Sequence, residues 1–465
     1  MSQGALARAA AAAVALALIG LAAPQAFAQS LAPAAQATTV DLIAGVFPDG
    51  TRWGMQKPAN WNGTLIVDLD GAPPVAPTGR ANPFNAWLLS KGYAVGGITR
   101  EPVGYDFPKA VDYLLTVRQA AIVKWGPAKR TLVSGNSRGA FAARKAVELR
   151  PDVFDGGFIS AGGGAGEIAV LRNKLNSLFV LKTLLDPNSP MKLVGIDPAV
   201  ENPALNALVA KARSTPQGRA RLAFSAAMQQ FALWSSRNAT KPAADDYEAQ
   251  LDQIADNFGF GTALSVRAGV EKIAGGNVSW NTDADYGELL RRSGRQAMVE
   301  ALYKKAGLDL PADLALLSRT PRISADPQAV RRAEPLMTYS GKIEDPVVNV
   351  DNDDPVDPAA DKLAYRRTLE RAGTAGLFRL LWADGAGHGG QTALDRAVGF
   401  DLLIERIDTG RWADTTPTAL RERASAVAAS SPVDLGQLTL FEPGAIAAPL
   451  NTWDAGDWGS YTPAR

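Results

Sequence analysis

Cysteine is absent from this 465-residue chain. That removes disulfides, thiolate nucleophiles and every zinc site built on sulfur. Histidine occurs once, at His388. A catalytic zinc normally draws three protein ligands rich in His or Cys, so metal-hydroxide chemistry of that kind is excluded as well. No charge of one sign is in excess, because 48 Lys+Arg face 47 Asp+Glu. Such a balance provides no field to attract nucleic acid or an anionic membrane. Long apolar runs are missing too: the stretch Ala9–Ala23 is 15 residues, short of the roughly 20 needed to span a bilayer. No period of the kind that marks a repeat architecture is visible. Carboxylates, hydroxyls, amines and one imidazole remain as the available chemistry.

The composition is otherwise that of a globular chain, 46% hydrophobic and 20% charged, which excludes general disorder. The length suits one large domain carrying an insertion. Residues 1–28 read as a secretory signal. Arg8 is their only charge, the apolar run follows it, and Ala26-Phe27-Ala28 supplies a small-residue cleavage site. The mature chain is expected to be periplasmic or secreted, with no stable membrane insertion.

From Thr38 onward short apolar runs alternate with helical stretches. Strands are expected at Thr64–Leu69, Tyr93–Ile98, Arg130–Ser134 and Asp155–Ser160. Helices are expected over Phe84–Lys91, Lys109–Trp125 and Arg138–Leu149. This rhythm predicts an α/β fold, a mostly parallel sheet with helices on both faces. It covers residues 29–161, stops for a mainly helical insertion over 162–333, and resumes over 334–412. The second part holds a strand at Leu336–Ser340, a helix over Ala359–Ala372, a strand at Leu377–Trp382 and a helix over Thr392–Ile407. Residues 413–465 read as an irregular tail packed along the body, carrying Trp453 and Trp458.

The third strand ends in Gly135-Asn136-Ser137-Arg138-Gly139, a G-x-S-x-G between strand and helix. In that context a sharp, strained turn exposes the serine hydroxyl above the sheet. The alternative is a Gly-rich turn whose serine caps the helix. A serine hydroxyl needs an adjacent base, and His388 lies in a Gly-rich loop after the last core strand, where parallel sheets place their sites. A third group must fix the imidazole tautomer. Asp345, in Gly341-Lys342-Ile343-Glu344-Asp345-Pro346-Val347-Val348, follows the expected strand Leu336–Ser340. The turn Asp354-Pro355-Val356-Asp357 is the alternative source of the acid. The order Ser137, Asp345, His388 is that of an α/β-hydrolase.

On GNSRG, GKIEDPVV and GAGHG in that order, the chain resembles the α/β-hydrolase superfamily, particularly its exported bacterial esterases and lipases, across Thr38–Trp412. Trp61–Gly71 and Gly275–Tyr286 also resemble large bacterial hydrolases. The resemblance implies an α/β-hydrolase fold with a helical cap and a serine hydrolase acting on carboxylic esters. An amidase with the same triad is the runner-up, and a binding protein on the same fold a third reading. It implies no metal or organic cofactor, and a small-molecule or polymeric substrate. It also implies an oxyanion hole from the N–H of Arg138 and that of Ala72 or Gly71, although Asp70-Gly71-Ala72 stands where many relatives have His-Gly.

Three further features have plainer readings. The acidic loop with Asp351, Asp353, Asp354 and Asp357 lacks the Gly and Glu of a calcium-binding EF-hand loop and reads as solvated. Gly162-Gly163-Gly164-Ala165-Gly166 has no Walker lysine after it and reads as a hinge or pocket floor. Phe224, Met228, Phe231 and Trp234 follow helical spacing, which is the default pattern of core packing. An apolar substrate wall, with Phe231 and Trp234 as its members, is the other reading.

Overall fold

The structure is a computed structural model and describes residues 40–72, 82–238 and 240–453. The expected signal segment and Trp458 lie outside the described residues.

The chain opens with two strands, β1 (Val40–Val46) and β2 (Arg52–Pro58), paired antiparallel. Neither was expected from the sequence. The outer strand exposes Leu42 and Val46, so it shows neither a continuous apolar run nor a clean alternation of buried and exposed residues. Alternation then begins as expected: β3 (Thr64–Asp68), α1 (Pro83–Ser90), β4 (Ala94–Ile98), α2 (Phe107–Trp125), β5 (Arg130–Asn136), α3 (Arg138–Leu149) and β6 (Gly157–Ser160). Asn82 and Asp106 cap α1 and α2 by accepting from backbone N–H groups in the first turn, and a proline stands just inside each helix.

Helices alone follow β6. They are α4 (Glu167–Leu185), α5 (Pro198–Arg213), α6 (Pro216–Ala227), α7 (Tyr247–Thr262) and α8 (Leu264–Ala274). Then come α9 (Tyr286–Arg292), α10 (Gln296–Ala306), α11 (Leu310–Arg319) and α12 (Pro327–Met337). The sheet resumes with β7 (Val347–Asp351), α13 (Ala359–Ala372), β8 (Phe378–Ala383) and α14 (Ala393–Thr409). After these, α15 (Pro417–Ala429) and β9 (Leu440–Phe441) end the described secondary structure.

The nine strands form one sheet in the order β1-β2-β4-β3-β5-β6-β7-β8-β9. The stretch from β4 to β8 is parallel throughout, and antiparallel partners close both edges. This is the α/β-hydrolase fold with a mainly helical insertion. One face of the sheet packs on α2, α3, α8 and α12 through Leu114, Phe141, Val270 and Val330. The other packs on α1, α14 and α15 through Trp87, Phe400 and Leu420. The insertion has a core of its own. Helix α4 joins the two: Ile168 and Leu171 pack with the sheet, whereas Leu175, Leu178 and Leu181 pack with the insertion.

Two expectations are corrected here. The strand expected at Leu336–Ser340 does not form, because α12 runs to Met337 and the strand that follows is Val347–Asp351. Met337 and Tyr339 are buried, and a short apolar run does not distinguish a strand from the buried end of a helix. The stretch from 413 is not irregular throughout: α15 packs against α14, and β9 adds to the sheet beside β8. Trp453 packs edge-on against Trp280 with ring centroids 5.1 Å apart.

Candidate active site

Parallel strands bring their C-terminal ends to one edge of the sheet, where the following loops meet. Ser137 follows β5, Asp354 follows β7 and His388 follows β8. Ser137 sits at φ 57°, ψ −125°, a conformation that L-residues rarely adopt and that active sites often store. The turn depends on glycine: a Cβ at Gly135 would lie 2.0 Å from the carbonyl oxygen of Gly139. Although Ser137 occupies the N-cap position of α3, its side chain caps nothing. The capping alternative is therefore not what the hydroxyl does. Ser137 Oγ lies instead 2.8 Å from His388 Nε2.

His388 Nδ1 lies 2.7 Å from Asp354 Oδ2. Asp354 is fully buried, and its Oδ1 accepts from the N–H of Val356 at 2.8 Å. Burial works against its charge, but the hydrogen bond and charge of His388, with the charge of Lys362 and the Val356 N–H, hold its pKa below the ordinary carboxylate value. An ionised carboxylate only accepts. Nδ1 therefore carries the imidazole proton, and Nε2 is left as the acceptor for the Ser137 hydroxyl. Burial likewise works against a charged imidazole, yet the Asp354 hydrogen bond and charge prevail, and the His388 pKa is raised above 6.5. The rings of Phe260 and His388 meet edge to face with centroids 5.9 Å apart.

The structure does not bring Asp345 to this group. It precedes β7, and so stands at the N-terminal end of the strand whose C-terminal end leads to Asp354. The displaced strand assignment is the reason: with β7 at Val347–Asp351, the acid after the strand falls in the Asp354-Pro355-Val356-Asp357 turn. That loop is not solvated, since Asp351, Asp354 and Asp357 are all buried. Lys362 compensates part of the charge. Its Nζ donates to the Asp357 carbonyl and lies 3.5 Å from Asp351 Oδ1. Asn352 also ties the acid loop to the histidine loop. Its Nδ2 donates to the carbonyls of Gly387 at 2.8 Å and Gly385 at 3.1 Å, and its Oδ1 accepts from Gly390 N–H. Nothing in the sequence singled out Asn352 or Lys362.

The 70–72 turn follows β3. Arg100 Nε donates to Asp70 Oδ1 at 2.8 Å, and the Asp70 N–H donates to Asp68 Oδ1 at 2.9 Å. The Gly71 N–H donates to the Asp68 carbonyl at 3.1 Å. Of the two donors expected from this turn, Gly71 is thus engaged in holding it. The Arg138 backbone N–H opens α3 directly after Ser137, at the positive end of the helix dipole. Its side chain pairs with Glu101 and lies over the Tyr105 ring at 4.2 Å.

Phe231 and Trp234 are corrected as substrate-wall residues. Phe231 is 0% exposed and stacks on Phe258 at 4.9 Å inside the insertion core. Trp234 donates from Nε1 to the Asn238 carbonyl. The cavity of about 390 Å³ beside Ser137 and His388 has other apolar walls: Phe141, Val170, Phe260, Leu264, Val266 and Val356. Their spread over α3, α4, α7, α8 and the acid loop hid them from any single helical stripe. The Gly162–Gly166 run supports this region: Arg144 donates to the carbonyls of Gly162 and Gly163, and the Gly162 N–H donates to Asp351 Oδ2.

No family model matches the chain. Among proteins of described activity, it is similar to the o-phthalyl amidase of Xanthobacter agilis, 29% identical over 414 residues, covering 82% of this chain and 90% of that one. Among solved structures it is similar to feruloyl esterase B from Aspergillus oryzae, with TM-score 0.39, 12% identity and coverage of 81% of this chain and 82% of that one. It is also similar to the tannin acyl hydrolase from Aspergillus niger, with TM-score 0.38, 14% identity and coverage of 80% and 79%. The chain is an α/β-hydrolase in fold, and its sequence similarity is to a hydrolase. Among the described residues no helix is long and apolar enough to cross a membrane.

Proposed function

We propose that this chain is a serine hydrolase that cleaves carboxylic esters or amides through an acyl-enzyme, and that it works after export directed by residues 1–28. The observation that carries the reading is the continuous chain Asp354–His388–Ser137, with contacts of 2.7 and 2.8 Å. Ser137 Oγ attacks the substrate carbonyl carbon while its proton passes to His388 Nε2. The carbonyl electrons move onto oxygen, which takes hydrogen bonds from the N–H of Arg138 and, on the 70–72 turn, of Ala72. Each such donor contributes about 3–4 kcal/mol in the transition state. Collapse expels the alcohol or amine, which receives the proton from His388. Water then gives its proton to His388, attacks the acyl carbon and releases the acid, and Ser137 regains its proton. Asp354 keeps the imidazole in the productive tautomer and stabilises its positive charge in both halves.

Amide cleavage stands beside ester cleavage because the similarity to an amidase extends over most of both chains. The triad is common to both reactions, and an amine is the poorer leaving group until His388 protonates it. A fluorophosphonate should label wild-type protein at Ser137, and Ser137→Ala should abolish labelling and turnover. Matched p-nitrophenyl esters and p-nitroanilides then rank the leaving groups. Labelling that persists in the alanine variant would remove Ser137 from the mechanism.

A further inference from the structure

His388 stands between Gly387 at φ 80° and Gly389 at φ 72°, a backbone region that glycine enters and leaves freely. The loop therefore needs support from outside itself. Among the described residues, the backbone of residues 385–390 is tied to the rest of the chain by the side chains of two residues, Asn352 and Asp354. Asp354 accepts from the Gly389 N–H at 3.3 Å. Asn352 meets the carbonyls of Gly385 and Gly387 and the N–H of Gly390, so it grips the loop on both sides of His388. Its amide orientation is unambiguous, because the two carbonyls require Nδ2 and the N–H requires Oδ1. Asn352 is itself fixed. It is 0% exposed, it follows β7 directly, and its N–H donates to Asp351 Oδ1 at 2.9 Å. It does not line the cavity beside Ser137.

We infer that Asn352 is a positioning residue for His388: its side-chain amide holds the histidine loop where one ring reaches both Asp354 and Ser137. The inference rests on the acyl-transfer reading above and adds the group that aligns its base. The argument is geometric. Proton transfer runs through contacts of 2.7 and 2.8 Å at the two nitrogens of one imidazole. A single hydrogen bond at Nδ1 leaves the ring free to swing about that contact, which would carry Nε2 away from Ser137 Oγ. The grip of Asn352 on Gly385, Gly387 and Gly390 removes that freedom from the backbone side. Asn352 and Asp354 also share the segment after β7, so the acid and the loop that carries the base keep a common footing. Asn352→Ala would release the loop and leave in place Asp354, Asp357 and Lys362, the charged groups that act on the imidazole. A misplacement of about 1 Å in such an arrangement costs about 100-fold in rate.

The test exploits the single histidine of the chain, since NMR of isotope-labelled histidine reads one imidazole. In Asn352→Ala, shown to be folded by circular dichroism, kcat on a p-nitrophenyl ester should fall about 100-fold. KM should change little, because Asn352 is not in the cavity wall. Fluorophosphonate labelling of Ser137 should slow in parallel. The imidazole pKa should drop from its raised value, and the acid limb of kcat/KM should move to lower pH with it, because the contact with Asp354 that raises it is weakened. An amide with a merely structural role would lower Tm and leave kcat and the imidazole pKa of the folded protein unchanged. Asn281→Ala is the control: that buried amide joins Tyr286 and Ile323 within the insertion, and its loss should lower Tm alone. If Asn352→Ala does not fold, Asn352→Asp, equal in size but without the N–H donors, decides by the same readings. A kcat within about twofold of wild type or an unmoved imidazole pKa would overturn the inference, as would equal changes in Asn281→Ala. Wild-type protein that takes no fluorophosphonate sinks the hydrolase reading and this inference with it. Labelled wild type beside Asn352 variants of unchanged kcat sinks this inference alone.

Discussion

Replacing Asp354 by asparagine tests the acid assignment at a single atom. The amide cannot choose its orientation freely, because Oδ1 accepts from the Val356 N–H at 2.8 Å and the Asp357 N–H at 3.4 Å. An NH2 group in that place would face two donors, against one backbone donor at Oδ2, the Gly389 N–H at 3.3 Å. The amide oxygen therefore takes the Oδ1 position and the NH2 group takes that of Oδ2, facing His388 Nδ1. A donor there forces Nδ1 to accept, so the imidazole proton moves to Nε2, the nitrogen 2.8 Å from Ser137 Oγ. Nε2 then has no lone pair for the serine proton, and the charge that stabilised the imidazolium is gone. Loss of the correct tautomer in this way costs about four orders of magnitude in kcat, or about 5 kcal/mol of transition-state stabilisation. The assay is turnover of a p-nitrophenyl ester by Asp354→Asn and Asp345→Asn, with circular dichroism to establish that both fold. Asp345→Asn should leave kcat within about twofold, since that side chain reaches no reacting group. A silent Asp345→Asn beside an active Asp354→Asn would refute the reasoning, and mild effects from both would mean that another group orients His388.

Ser137 and His388 were legible in the sequence because each belongs to a local pattern with a steric reason. Gly135 must lack a Cβ where β5 passes α3, and the histidine loop must turn sharply after β8. The acid was not legible in the same way. Its position depends on where β7 begins, and the buried run Met337–Tyr339 resembles a strand as closely as Val347–Val350 does. Asp354 also looked like one of several acids on a polar loop, whereas in the fold its buried charge is sustained by His388, Lys362 and backbone donors. The α/β alternation could be read because each core strand is a short apolar run bounded by turn residues. The hairpin β1–β2 could not, since an exposed edge strand gives no such signal.

The pH profile should follow His388: kcat/KM rises with pH through a value above 6.5, because only the neutral imidazole accepts the serine proton and Asp354 raises its pKa. In Asp354→Asn the residual activity should have its acid limb moved to lower pH, and an unmoved limb would separate the two residues. Phe231→Ala should lower stability by about 3–5 kcal/mol, as for a fully buried aromatic. The relative rates on short and long acyl esters should not change, and a selective loss on one acyl size would restore Phe231 to the substrate wall. Asp345 offers a stability test independent of catalysis. Burial, with the nearby charges of Asp155 and Glu344, pushes its carboxyl up to about 6 from 3.8. The folded state therefore holds this proton more tightly than the unfolded state does, so the associated stability is present below the unfolded value and is lost as pH rises through the folded one. An asparagine there has no proton to lose. Thermal unfolding of Asp345→Asn should accordingly gain on wild type as pH is raised from 4 to 8, with the gain developing between about 4 and 6. If wild type gained on the variant over that range, Asp345 would have to meet a cation or donor in the folded chain, contrary to its place beside two acids at the start of β7.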